Sequence, residues 1–193
     1  MDPLQRLESR LPGLYKDASC DHDLGHILRV VRNARIVGKK EGADLSILIP
    51  AAMLHDIALK KGFMRENNEK HAVLGAAMAK PILKGCGFPE EQIRKICSAI
   101  LQHSTDNPTN EPETREGDCL FDADKLDAII PCGVARYMQE QAFEHDTNAV
   151  KAAEDFIIWL KKLEFRTKTG KDLGRDRKKA IEFCGEIIRS GRI

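Results

Sequence analysis

Apolar residues recur at helical spacing along almost the whole chain. In residues 24–40, LGHILRVVRNARIVGKK, the apolar side chains follow a spacing close to the 3.6 residues of one α-helical turn. No stretch alternates apolar and polar residues for long enough to predict a β-strand, and no internal repeat is evident. The sequence therefore predicts an all-α fold.

Capping residues and prolines predict where the helices begin and end. Asp21 or Asp23 is suited to cap the helix at 24–40, and Gly42 to end it. Pro81 lies inside the helix predicted within 66–85, and whether it interrupts that helix is left open. A polar loop is predicted over 104–113. The other predicted helices lie within 44–62, 66–85 and 89–104, run through CLFDADKLDAII at 119–130, and continue near 131–145, 147–163 and 175–190.

The length and composition predict an ordinary folded protein. The 193 residues suit a single domain spanning 1–193, and 42% apolar with 32% charged residues argues against disorder. The formal net charge of +1 argues against a dedicated nucleic-acid binder. Since no apolar run approaches ~18 residues and the N-terminus has no apolar signal core, we expect a cytoplasmic protein with no membrane partner. The six cysteines lack a CxxC pair and are expected to be reduced thiols.

Basic residues concentrate in the segment 161–179, with nine Lys or Arg against three Asp or Glu. A solvent-facing turn and helix face is the simpler interpretation of this segment. A surface that contacts phosphate or RNA is the alternative.

A charged pair interrupts the most apolar helix. Residues 51–60, AAMLHDIALK, place His55 and Asp56 among methionine, leucine and isoleucine side chains. A buried carboxylate without a partner costs several kcal/mol, and a cation is its strongest partner. Either a metal ion lies between the two side chains, or Asp56 pairs with a lysine or arginine and His55 is a structural histidine.

Two other helices carry a similar anomaly. His26 shares its helix face with apolar and small polar residues, and Asp124 has Leu120, Phe121 and Ala128 as its i−4, i−3 and i+4 neighbours. Asp122 is a rival to Asp124, but Asp118 lies four residues before it and indicates a wetter face. Two imidazoles and two carboxylates without evident partners indicate one shared divalent cation. Mixed nitrogen and oxygen ligands favour Mn²⁺, Fe²⁺, Co²⁺, Ni²⁺ or Zn²⁺ over Ca²⁺, and Mg²⁺ stays open.

The order of these residues resembles that of the HD-domain metal-dependent phosphohydrolases. DHDLGHILRVVRNA at 21–34 is similar to the family's first-helix pattern, AAMLHDIA at 51–58 to its His–Asp motif, and DADKLDAI at 122–129 to its final motif. The resemblance spans residues 21 to about 137. It implies a compact HD-domain helical bundle, with a core at about 21–140 and C-terminal helices at about 141–190. It also implies a metal site formed by His26, His55, Asp56 and Asp124.

The candidates for the chemical step are Asp56, His71, His103 and Lys60, of which Lys60 is alternatively a surface residue. Asp56 would take the proton of the attacking water, and the other three would stabilise phosphoryl oxygens. In some family members, histidines at the places of His71 and His103 bind a second metal or contact the phosphate. A role as core or rim histidines is the alternative.

Three more residues are candidates for substrate binding. Arg29 and Lys125 would bind phosphate oxygens as positive charges, or they are surface residues. His22 either begins the helix or lines the pocket.

The activity that the resemblance implies is hydrolysis of a phosphate ester or phosphoanhydride in a small nucleotide. Leu59 stands where one 5′-nucleotidase branch has a general-acid glutamate, and a poor alkoxide leaving group needs such an acid. Pyrophosphate release from a triphosphate is therefore favoured over phosphate release from a monophosphate. The alternatives are a non-catalytic regulatory module that binds metal or nucleotide, and an RNA-directed HD nuclease that uses 161–179. The expected partner is a small phosphate ester or nucleotide, and a homodimer is left open.

Overall fold

The structure is a computed structural model that describes residues 1–19, 21–59, 71–104 and 114–190. Within these ranges the chain forms nine α-helices and no β-strand, which confirms the predicted all-α fold. None of the described helices is both long enough and apolar enough to cross a membrane. The helices are α1 (Pro3–Leu14), α2 (Leu24–Glu41), α3 (Leu45–Leu54), α4 (His71–Cys86), α5 (Glu90–Gln102), α6 (Arg115–Ala128), α7 (Pro131–His145), α8 (Ala149–Lys162) and α9 (Lys168–Ser190).

Helix α2 begins and ends where its capping residues predict. Asp23 is the N-cap, and its carboxylate accepts a hydrogen bond of 2.7 Å from the backbone N–H of His26. Gly42 ends the helix in the left-handed conformation, with a φ of 70°. Helix α2 packs along α6, where the side-chain amide of Asn33 donates to the carbonyl oxygen of Ala123 at 3.0 Å. This pairing brings the first turn of α2, with His26, against α6.

The helix predicted within 44–62 ends earlier, at Leu54. Every residue from 47 to 54 is buried, because a helix that is apolar on all sides is stable only inside a core. His55 and Asp56 lie in the turn that follows the helix. His55 keeps helical dihedral angles, with φ −56° and ψ −38°, so the turn continues directly from the last residue of the helix.

Helix α4 is continuous through Pro81 and passes close over this turn. A Cβ atom added at Gly75 would lie 2.9 Å from the carbonyl oxygen of His55, closer than side-chain carbons approach backbone oxygens. Glycine is the residue that allows such an approach between two backbones. Gly75 therefore sets how closely α4 contacts the turn that carries His55.

Asp122 fixes the start of the last helix. Its carboxylate is buried and accepts hydrogen bonds from the backbone N–H groups of Arg166 and Thr167, both at 2.8 Å, and from the Thr167 hydroxyl at 2.6 Å. The expectation of a wetter face at Asp122 is therefore wrong. Helix α9 begins at Lys168, earlier than the predicted start near 175, because this carboxylate holds the preceding turn.

Part of the basic segment 161–179 belongs to the fold itself. Three of its side chains donate hydrogen bonds to backbone carbonyl oxygens at 2.7–3.0 Å, and such oxygens otherwise need water as a partner. These pairs are Arg166 with Gln102, Arg177 with Leu126, and Lys178 with Leu163. Neither sequence interpretation of the segment, solvated face or phosphate-binding surface, accounts for these contacts.

We predict that Asp122→Asn lowers the free energy of unfolding by about 1–3 kcal/mol, because an amide cannot accept all three hydrogen bonds and leaves a buried donor unpaired. The measurement is urea denaturation followed by circular dichroism. Asp172→Asn, at an exposed ion pair with Lys168, is the matched control and is expected to change this free energy by less than about 1 kcal/mol. Equal effects of the two variants would contradict the structural role of Asp122.

Candidate metal centre

Four buried side chains from three elements converge on one point. His26 comes from α2, His55 and Asp56 from the turn after α3, and Asp124 from α6. One ligand atom from each side chain lies within 4.8 Å of every other. The structure thus brings together the four residues that the sequence proposes as metal ligands, in a cluster able to hold a metal ion.

The two imidazoles are oriented by acceptors outside the cluster. The Nδ1 atom of His55 donates to the carbonyl oxygen of Ala52 at 3.0 Å, and Nδ1 of His26 lies 2.8 Å from a carboxylate oxygen of Asp127. These partners assign the Nδ1–H tautomer to both rings. Each Nε2 atom therefore presents a lone pair to the cluster, which is the state that a metal ion requires.

The donor set fits a divalent cation. The Nε2 atoms of His26 and His55 are buried, and neither has a hydrogen-bond partner among the described residues. The carboxylate oxygens of Asp56 and Asp124 lie 3.1–3.7 Å from these nitrogen atoms, without the geometry of a hydrogen bond. Buried polar atoms are rarely left unpaired, and a shared cation is the partner that suits two nitrogen and two oxygen ligands.

The electrostatics of the cluster agree with this requirement. Burial opposes ionisation of Asp56 and Asp124, but neighbouring imidazoles, with Lys125 beside Asp124, hold the pKa of both carboxyl groups well below the ordinary value. Burial also opposes protonation of His55, but the same two carboxylates raise its pKa to about 10. The surroundings of the cluster therefore favour positive charge at this place.

Asp56 also belongs to a second group of possible ligands, with His71 and His103. Their ligand atoms all lie within 4.8 Å of one another. The Nε2 atom of His103 is 3.4 Å from Asp56 Oδ1 and 3.2 Å from His71 Nε2, while its Nδ1 donates to the Ile100 carbonyl oxygen at 2.6 Å. Burial lowers the pKa of His103 to about 4, so its imidazole is neutral at pH 7. Both histidines thus border the cluster.

His22 contacts Asp56 directly. Its Nδ1 atom lies 2.6 Å from Asp56 Oδ2. Burial lowers the pKa of His22, but the Asp56 carboxylate raises it more, to about 9. The structure therefore gives His22 a carboxylate partner beside the cluster, which the two sequence interpretations of this residue did not include.

The sequence analysis missed Asp127, which lies behind His26. Its carboxylate is fully buried and binds three groups: Nδ1 of His26 at 2.8 Å, Nε of Arg29 at 2.8 Å and a terminal guanidinium nitrogen of Arg136 at 2.7 Å. The substrate-binding role expected for Arg29 stays a prediction; the structure pairs its guanidinium group with Asp127, on the side of the His26 ring opposite to the cluster. Asp127 lies within the DADKLDAI motif, but its position alone gave no sign of its partners.

An open cleft of about 210 Å³ adjoins the cluster. His22, His26, Asp124 and Lys125 line one part of it, together with Arg136. The ammonium group of Lys125 lies 2.8 Å from Asp124 and therefore remains at the wall of this cleft. Lys60, the remaining candidate from the sequence, lies outside the described residues.

The matched family agrees with this arrangement. The family model of the HD domain matches residues 23–129, which is more than half of the chain. The chain therefore belongs to the HD domain family. This places its helical bundle among the HD folds, as the sequence resemblance implies.

The chain is also similar to individual proteins. The chain is 30% identical to the uncharacterised protein YpgQ of Bacillus subtilis over 135 residues, which is 68% of this chain and 63% of YpgQ. A crystal structure of YpgQ in complex with ADP aligns with a TM-score of 0.68 at 22% identity, covering 95% of this chain and 97% of the other. A protein from an uncultured Thermotogales bacterium, described as a "predicted HD superfamily hydrolase", aligns with a TM-score of 0.66 at 26% identity, covering 98% and 93%.

A more distant match is ribonuclease Y of Rubrobacter xylanophilus. It is 25% identical over 202 residues, which cover 93% of this chain but only 37% of ribonuclease Y. The chain thus spans little more than a third of that protein.

We predict that Asp124→Asn abolishes metal binding, whereas Asp122→Asn retains it. Asp124 presents its carboxylate to the cluster, while the Asp122 carboxylate is occupied by the turn before α9. Elemental analysis and calorimetric titration with Mn²⁺ or Co²⁺ measure the difference. The reverse ranking would mean that the wrong aspartate of DADKLDAI has been assigned.

We predict that Asp127→Asn weakens metal binding roughly 10- to 100-fold, the loss typical when the partner of a metal-ligating histidine is changed. The substituted side chain no longer offers His26 a charged acceptor and leaves two guanidinium groups without their carboxylate. The same titration measures the affinity. An affinity within a factor of about two of the parent would show that Asp127 does not orient His26.

Proposed function

We propose that the protein is a divalent-metal-dependent phosphohydrolase that acts on a small nucleotide. The observation that carries this proposal is the buried cluster in which the Nε2 atoms of His26 and His55 lack a hydrogen-bond partner among the described residues. Membership of the HD family supports hydrolytic chemistry. The ADP in the YpgQ crystal supports a nucleotide as substrate.

In this proposal His26, His55, Asp56 and Asp124 hold the ion, which is Mn²⁺, Fe²⁺, Co²⁺, Ni²⁺, Zn²⁺ or Mg²⁺. A divalent ion bound there supplies a Lewis acid, which lowers the pKa of water and offsets negative charge on the phosphate. The protein contributes a dry, fixed ligand set, because the acceptors behind each imidazole prevent the rings from turning away.

In this proposal Asp56 takes the proton of the attacking water, with His103 beside it. Oδ2 of Asp56 is engaged by His22, whereas Oδ1 lies 3.4 Å from Nε2 of His103. The Nδ1 atom of His103 donates to Ile100, so its Nε2 carries a lone pair at neutral pH. We assign Asp56 Oδ1 as the acceptor of the proton. The Nε2 lone pair of His103 accepts a hydrogen bond of 3.2 Å from His71 Nε2, which holds the His103 ring beside Asp56.

The phosphate oxygens face two cations in this proposal. Lys125 lines the cleft, and one of its three ammonium protons suffices for Asp124. Arg136 lines the same cleft and is held in place by Asp127 and by the carbonyl oxygen of Asp21. Preorganised cations of this kind stabilise charge that develops on phosphoryl oxygens.

The need of a poor leaving group for an acid favours triphosphates as substrates over monophosphates. The Leu59 side chain is buried in the core, so this position offers no acid to a departing nucleoside alkoxide. Pyrophosphate needs less help from an acid. We therefore propose pyrophosphate release from a nucleoside triphosphate ahead of phosphate release from a monophosphate.

One observation favours a second candidate, an RNA-directed nuclease: the match to ribonuclease Y. The basic segment 161–179 would be its RNA-binding surface. Three side chains of that segment instead bind backbone carbonyl oxygens within the fold, which weakens this candidate. A non-catalytic regulatory module is disfavoured because all four proposed ligands are present.

We predict that the chelated protein, reloaded with Mn²⁺ or Co²⁺, releases pyrophosphate from nucleoside triphosphates faster than phosphate from monophosphates. The assay follows both products for a panel of nucleotides and for an RNA oligonucleotide. Two variants are the controls: Asp124→Asn is expected to be inactive, and Asp122→Asn is expected to keep its activity. Faster turnover of monophosphates would overturn the order of substrates, and cleavage of RNA alone would replace the nucleotide proposal.

A further inference from the structure

The cleft beside the metal cluster has a second, aromatic part. It is lined by Tyr137 from α7 and by Phe156 and Trp159 from α8. These rings are largely apolar, whereas Lys125 and Arg136 are charged. Trp159 is the only tryptophan in the chain, and Tyr137 is one of two tyrosines. No step of the proposed hydrolysis uses these three rings.

The rings form a contiguous wall rather than isolated core residues. The centroids of Tyr137 and Phe156 are 5.1 Å apart, and those of Phe156 and Trp159 are 5.3 Å apart. Phe156 is buried, whereas Tyr137 and Trp159 each keep part of their surface exposed. Phe156 therefore supports the other two rings, which remain available to a ligand.

The size of the cleft suits one part of a substrate. Its volume of about 210 Å³ is below the roughly 300–1,000 Å³ of pockets that enclose a whole drug-sized ligand. A flat aromatic group fits such a wall, because stacking on an aromatic side chain is favourable for every nucleobase. A phosphate cannot use this surface, whereas it pairs with the cations of the other part.

The neighbouring contacts fix the two parts relative to each other. Arg136 directly precedes Tyr137 on α7, and its guanidinium group binds Asp127 and Asp21. Asp127 in turn holds His26, a member of the metal cluster. The side-chain network that holds His26 therefore reaches the residue next to Tyr137 on α7.

We infer that Tyr137 and Trp159 form a nucleobase site, so that the base of the substrate packs against these rings while its phosphates lie at the metal cluster. This inference rests on the proposed function, since it takes the substrate to be a nucleotide whose phosphates lie at the metal cluster. The base then contributes to the affinity of the protein for the nucleotide. Inorganic polyphosphate then binds more weakly than a nucleotide with the same number of phosphates.

The single tryptophan allows a test that does not depend on turnover. The intrinsic fluorescence of the full-length, chelated protein is titrated with each of four nucleoside triphosphates and, separately, with inorganic tripolyphosphate. We expect a saturable change in Trp159 emission with nucleotides and none with tripolyphosphate. An equal response to tripolyphosphate would overturn the inference.

Activity of the metal-loaded protein separates the two proposals. Hydrolysis of nucleotides without any fluorescence response overturns the base site and leaves the proposed function. A fluorescence response without hydrolysis overturns the proposed function and leaves the base site. Absence of both overturns both.

Substitutions test the same inference by kinetics. Trp159→Ala is expected to raise KM for nucleotides about tenfold, the order of loss expected from one base–aromatic contact, and to leave KM for tripolyphosphate unchanged. Tyr137→Leu is the second variant, which keeps Trp159 as the fluorescent reporter if Trp159→Ala fails to fold. Ile158→Ala, at an exposed neighbour outside the cleft, is the matched control. An equal rise in KM for both substrates would mean a structural role for the rings.

Discussion

Three carboxylates are buried where α2, α6 and the turn after α3 meet, and the surrounding structure serves to balance their charge. Asp127 is balanced by two arginines and an imidazole, and Asp124 by the adjacent Lys125. Asp56 has His22 and the imidazoles of the cluster around it. Taking a carboxylate out of water costs several kcal/mol. Removing the partner of any of these carboxylates would therefore destabilise the fold.

The central residues of the site could be found in the sequence because each one breaks an apolar pattern locally. Asp56 and Asp124 are charged residues among apolar neighbours on their own elements, and a window of a few residues reveals that. Asp127 also interrupts an apolar run, LDAII at 126–130, but a local pattern does not show its histidine partner, which lies 101 positions away in the chain. Arg136 was not singled out either, since its partners Asp127 and Asp21 lie outside its own helix. Contacts of this kind exist only once the helices have packed.

The fold was predictable in class but not in every boundary. Capping chemistry placed both ends of α2, because Asp23 and Gly42 act within a few residues of themselves. The end of α3 at Leu54 was missed, since Ile57 and Leu59 are also buried and continue the apolar pattern into the turn. Asp122 was judged from its own helix face, whereas its burial depends on residues 44 and 45 positions later. Apolar periodicity reports burial and cannot distinguish a buried turn from a buried helix.

Gly75 couples the two groups of ligands mechanically. His71 lies one turn before Gly75 on α4, so a rigid movement of the helix shifts both residues together. Because no side chain separates Gly75 from the carbonyl oxygen of His55, that movement reaches the turn carrying His55 and Asp56 without being absorbed by a rotating side chain. Asp56 is common to both groups as well. The close approach of Gly75 to His55 therefore sets the spacing between α4, which carries His71, and the turn that carries the shared aspartate.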